Sequence, residues 1–184
     1  MKENKNLLLK SAMFYGLLLG IFWVIKYIFF ILGNNIPSMA IIYWILTPLT
    51  LIIAHVFTKI YKLQIGGKIG FFHAWQFGVL LFFFAALIVS LVHFTYYRYI
   101  APPELISSSM NQAIELMKDM NLNNQIKEMI EQMTIPTPIQ ITIHGIFNNI
   151  FYGLILSIPI AALLCRNNST GFINTNNQEK GGNQ

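Results

Sequence analysis

Charge is scarce in this 184-residue chain, and its distribution is as telling as its amount. Charged residues make up 10% of the sequence and apolar ones 55%, whereas a soluble domain carries about a quarter charged. A small domain still exposes much of its surface, so one core cannot hide this apolar content. Cysteine is almost absent: the lone Cys165 excludes an internal disulfide. No Cys-x-x-Cys occurs and no helix carries a His-x-x-x-His pair, which argues against zinc. Glycine-rich phosphate loops, nucleophile elbows and His-Glu-x-x-His are missing too, so an enzyme is not expected. The long apolar runs hold no Asp or Glu, which counts against a proton- or sodium-coupled transporter.

What is present is four such runs. Ser11 to Leu32 contains one charge, Lys26; Gly33–Thr58, Ile69–Tyr97 and Gln132–Cys165 contain none. A helix needs about 20 apolar residues to cross a bilayer, and in lipid it must satisfy its own backbone hydrogen bonds. The counting predicts an all-α, polytopic membrane protein, a four-helix bundle forming one domain over residues 1–184. Its spans lie near 11–32, 39–58, 71–96 and 139–165, followed by a disordered tail at 167–184. The first run exceeds signal-peptide length and lacks a small-x-small cleavage site, so it reads as a retained signal-anchor.

Orientation follows from the basic residues. With the N-terminus inside, Lys2, Lys5, Lys10, Lys59, Lys62, Lys68, Arg166 and Lys180 are cytoplasmic. Only Arg98, Lys118 and Lys127 are then outside. Basic flanks resist translocation, which predicts both termini in the cytoplasm. The outer side collects Glu104, Glu115, Asp119, Glu128 and Glu131. The net charge of +5 is thus topological and suits anionic headgroups, not nucleic acid. Tyr96, Tyr97 and Tyr99 at one boundary, and Tyr61, Phe72 and Trp75 at the other, are expected as interfacial anchors.

Between spans three and four, residues 98–137 form the one substantial segment outside the membrane. Pro102 and Pro103 suit the start of a helix. Ile106, Met110, Ala113, Ile114 and Met117 then recur on one helical face, and Ile126, Met129, Ile130 and Met133 resume it. This predicts amphipathic helix at the outer surface. Its methionines (110, 117, 120, 129 and 133) also invite partner binding or copper(I) chemistry, but at helical spacing packing is the favoured reading. No cofactor is expected.

Small residues mark helix packing: Ala12, Gly16 and Gly20 on span one, and Gly145, Asn149, Gly153 and Ser157 on span four. Pro48 and Pro159 are expected to bend their helices. Candidate site residues are the polar groups within the spans. Lys26 lies roughly 9 Å from the outer end of span one. His93 lies near the outer end of span three, and His144, Asn148 and Tyr152 make a polar stripe on span four. At comparable depth, these five residues could border one polar pocket in the outer leaflet. The competing reading is structural, because a lysine so near a helix end can snorkel to the headgroups. His55 and His73 lie near the inner boundary.

The run Ile65-Gly66-Gly67-Lys68-Ile69-Gly70-Phe71-Phe72-His73-Ala74-Trp75-Gln76-Phe77-Gly78 opens span three. It resembles the entry to that span in domain-of-unknown-function family 4199, small bacterial four-span membrane proteins. Tyr96 through Pro102, and Gly153 through Arg166, resemble the exits seen there. The resemblance implies the topology and carries no activity. Two functions remain expected: a non-catalytic protein that packs with or assists a membrane protein partner or a further copy of itself, or a small uncoupled transporter or channel.

Overall fold

A computed structural model describes residues 5–33, 36–118 and 135–166. Asn34 and Asn35 of the first turn, the outer segment from Asp119 to Thr134 with Met120, Met129 and Met133, and the tail from residue 167 lie outside the described residues. The described residues form helices joined by short turns, with no strand among them: α1 Lys5–Gly33, α2 Pro37–Gln64, α3 Phe71–Thr95 running into a π-helical turn Tyr96–Ile100, α4 Pro103–Lys118 and α5 Pro138–Arg166. Four helical stretches (Asn6–Gly33, Pro37–Gln64, Phe71–Ile100 and Pro138–Arg166) are long and apolar enough to cross a membrane.

The helices outrun the charge-free stretches that predict them. α1 begins at Lys5 rather than Ser11, and α2 continues past Thr58 to Gln64. Lysine is a good helix former, so charge marks where a chain leaves lipid and not where its helix stops. The stop on α2 is glycine. Gly67 N donates to Lys62 O at 2.9 Å and Gly66 N to Leu63 O at 3.2 Å. That is a Schellman closure, with both glycines at positive φ (100° and 79°).

The chain forms two compact units, 1–89 with 145–184, and 90–144. In the first, α1, α2, the N-terminal part of α3 and most of α5 share a core. Ala12, Tyr15 and Leu19 of α1 meet Ala54 and Tyr61 of α2, Phe77, Leu81, Phe82 and Ala85 of α3, and Ile160, Ala161 and Leu164 of α5. Close approach is built from small residues. A Cβ placed on Gly16 would lie 2.6 Å from Phe84 Cβ, and one on Gly20 would lie 2.7 Å from Ile88 Cβ. On the other side of α3, a Cβ on Gly153 would lie 2.4 Å from Phe82 Cβ, and one on Gly78 would lie 2.6 Å from Ser157 Cβ. Lipid removes the hydrophobic drive between helices, so this dispersion contact carries the association.

In the second unit the π-helical turn closes with Ala101 N donating to Tyr96 O at 2.8 Å. On α4, Glu104 and Glu115 are exposed while Ile106, Met110 and Ile114 are half-buried, as the periodicity predicts; Leu116 is exposed as well. Thr137-Pro138-Ile139-Gln140 starts α5 with a capping box. Gln140 Oε1 accepts from Thr137 N at 2.8 Å, Thr137 Oγ1 accepts from Gln140 N at 3.4 Å, and Pro138 occupies the first helical position.

Candidate functional site

The polar groups that the structure gathers lie around the α2–α3 turn. The buried face of α2 runs Ala54, Thr58, Tyr61, a spacing of four and then three, which carries Tyr61 into the core at 1% exposure. Its ring lies parallel to Phe77, centroids 4.2 Å apart, and nearly parallel to His73 at 5.6 Å. His73 and Phe77 are one turn apart on α3, so a single face presents both rings to Tyr61. The Tyr61 hydroxyl and His73 Nε2 share a hydrogen bond of 2.7 Å. Beside this stack Gln64 Nε2 donates to Tyr15 Oη at 2.7 Å, and Ser11 Oγ donates to Gln64 Oε1 at 3.4 Å, which ties α1 to the end of α2.

Three further bonds tie this turn and the α3 entry to α5. Lys62, buried at 8% exposure, donates from Nζ to Leu164 O at 2.9 Å. The last carbonyls of a helix lack amide partners and carry its negative dipole end, so they can receive a buried ammonium that has no carboxylate nearby. Cys165 Sγ donates to Ile69 O at 3.4 Å. Trp75 Nε1 donates to Leu154 O at 3.1 Å, a carbonyl that also accepts from Ser157 Oγ at 3.2 Å. Pro159, five residues on, lacks the amide that Ile155 O would otherwise receive. The arrangement pins helices together. It offers no carboxylate, and the described residues contain no group of three His, Cys, Asp or Glu able to hold a metal.

Of the five expected pocket residues, Lys26, Asn148 and Tyr152 belong to the first unit and His93 and His144 to the second. Lys26 is half-buried with Nζ 4.7 Å from the ring centroid of Tyr43, a cation–π contact between α1 and α2. Tyr43 in turn meets Phe30 at 5.4 Å. Asn148 and Tyr152 are exposed on α5, turned away from the packed interior of their unit. In the other unit His93 is half-buried and His144 exposed. Of the glycines expected to pack, Gly16, Gly20 and Gly153 are buried at the close approaches above, and Gly145 is half-buried.

Sequence reading missed Lys62, which serves as a topology charge in any count of basic residues, and Tyr61 and Trp75, which serve as boundary aromatics. Phe72, by contrast, is 71% exposed. The available signal was the buried spacing Ala54, Thr58, Tyr61, together with Trp75 and Ser157 standing in the two stretches that carry the family resemblance.

Comparison with family models matches residues 14–166 to the family described as "Protein of unknown function (DUF4199)". No curated protein and no solved structure matches.

Proposed function

This chain belongs to that DUF4199 family, and from the premise of a kinship that names no reaction we propose a non-catalytic role. The protein sits in a bacterial cytoplasmic membrane and acts by packing an outer helix face against a membrane-embedded partner. The observation that carries this reading is the closed interior. At Gly16, Gly20, Gly78 and Gly153, a single added carbon would meet the neighbouring helix at 2.4–2.7 Å. Seams this tight support helix packing over a polar passage at these positions, and polar side chains such as Asn148 and Tyr152 are exposed. The small uncoupled transporter or channel has the weaker support for the same reason. Lipid and another membrane protein or a second copy are the partners, with no cofactor and no nucleic acid.

Both termini are cytoplasmic in this reading. Support comes from Lys59, Lys62 and Lys68 around the α2–α3 turn and Arg166 at the end of α5. Labelling of single cysteines at residues 68 and 100, in a Cys165→Ser background, tests the orientation. Residue 100 is expected to react with an impermeant maleimide in intact cells and residue 68 only after lysis; the reverse pattern overturns it. The function is tested by isolation from native membranes in mild detergent. A stoichiometric membrane-protein companion, a second copy included, is expected. Ion or solute flux in vesicles that requires the protein and fails with Lys26→Ala would sink the packing role in favour of transport.

A further inference from the structure

The packing role leaves open what the outer faces meet, and α5 carries a specific feature in its middle. Between Gly145 and Leu164 the helix has two opposite faces. Gly153, Ser157, Ile160, Ala161 and Leu164 are buried, and Gly153 and Ser157 lie against Phe82 and Gly78 of α3. Half a turn round, Asn148, Phe151, Ile155, Pro159 and Ala162 are all exposed, spaced three and four residues apart along one line.

One member of that line does not suit lipid. Asn148 stands ten residues into the 29-residue α5, about 15 Å from its start at 1.5 Å per residue. A helix of this length overreaches a hydrocarbon core of about 30 Å by only a few ångströms at each end when centred, so Asn148 lies within the core. Its side chain makes no hydrogen bond with any described residue. Acyl chains offer neither donor nor acceptor, and an amide left unsatisfied there is costly.

We infer that this face is a contact between two copies of the chain, α5 against α5, with the two Asn148 side chains hydrogen-bonded to each other. The inference rests on the packing role proposed above and names its partner. A carboxamide is donor and acceptor at once, so two of them related by a twofold axis satisfy each other, the self-complementarity an isologous contact requires. Nothing opposes the pairing electrostatically, since no charged residue lies between Gly145 and Cys165. Nor does the face carry a charge that would select an oppositely charged partner. The Phe151 and Ile155 side chains surround the amide with apolar surface, and small Ala162 lets the helices stay close further along.

The full chain carrying Cys165→Ser, labelled at its N-terminus with donor or acceptor dye, is reconstituted in phosphatidylcholine vesicles over a range of protein-to-lipid ratios. Energy transfer that falls on dilution into lipid is expected. Asn148→Leu is expected to weaken the dimer about three- to thirtyfold, the span for one or two interhelical hydrogen bonds, and Asn148→Gln to keep most of it. Ile155→Cys, on the same exposed face with Asn148 intact, is expected to cross-link two copies, and Trp44→Cys on α2 is not. Because Asn148 is exposed, helicity of the variants should match the parent, as should their thermal midpoint at a dilution where the parent is monomeric, which excludes misfolding as the cause. Absence of energy transfer at every ratio overturns the inference, as does transfer unaffected by Asn148→Leu. If a cross-linker at 155 in native membranes captures a different protein and no second copy, the inference falls while the packing role stands. Protein-dependent flux in vesicles removes the packing role itself.

Discussion

Lys62 and Leu164 are 102 positions apart in the chain, and the lysine ammonium donates to the leucine carbonyl at 2.9 Å. The bond ties the last turn of α2 to the last turn of α5. It also explains how a lysine at 8% exposure is tolerated without an acidic partner. Lys62→Met keeps the length and apolar stem but leaves the carbonyl end without its cation. The expected loss is about 1–3 kcal/mol, the range for a hydrogen bond to a charged group and its exposed counterpart, read as a lowered thermal midpoint in detergent.

Gly153→Ala and Gly70→Ala make a matched pair. The first methyl would arrive 2.4 Å from Phe82 Cβ, an atom fixed by the α3 backbone, so the helices must part; the second meets nothing within 4 Å. Overpacking costs about 1–3 kcal/mol, whereas alanine at the open Gly70, the residue that caps the start of α3, costs less than about 1 kcal/mol. Thermal unfolding of the two variants should separate accordingly, and equal midpoints would disprove the close approach.

At the α2–α3 turn the cost is conformational. Gly66 and Gly67 have φ of 100° and 79° with open space around them. Alanine at either position should destabilise by about 1–2 kcal/mol through the left-handed backbone alone. Asparagine should cost less than alanine, because it tolerates that region. An equal effect of the two substitutions would point away from backbone conformation.

Tyr61→Phe removes the hydroxyl that bonds His73 Nε2 at 2.7 Å and preserves the stack on Phe77 at 4.2 Å. A loss of about 0.5–1.5 kcal/mol is expected. Tyr61→Ala deletes the ring as well and should cost about 3–5 kcal/mol. The difference between the two midpoints measures stacking and burial apart from the hydrogen bond.

How far the sequence reached can be seen at α2 and α5. Long charge-free runs pointed to all four long apolar helices, yet α2 extends to Gln64 because its end is set by Gly66 and Gly67, not by Lys59 and Lys62. The glycines of α1 and α5 were legible as packing positions by spacing. The partners they meet (Phe84, Ile88 and Phe82 of α3) were not. His144, Asn148 and Tyr152 were legible as a polar stripe at four-residue spacing, but which way the stripe faces was not.

The physical reason is the same throughout. Hydrocarbon demands a helix whose backbone satisfies itself and whose side chains are apolar, a local requirement written residue by residue, so sequence alone determined the all-α fold and the four long apolar helices. The rotation of each helix about its axis depends on which neighbours it packs against, and that is a property of several segments at once. Only the tertiary structure therefore decided that Lys62 turns inward to Leu164, that His73 joins Tyr61, and that Asn148 faces outward with its amide unmet by any described residue.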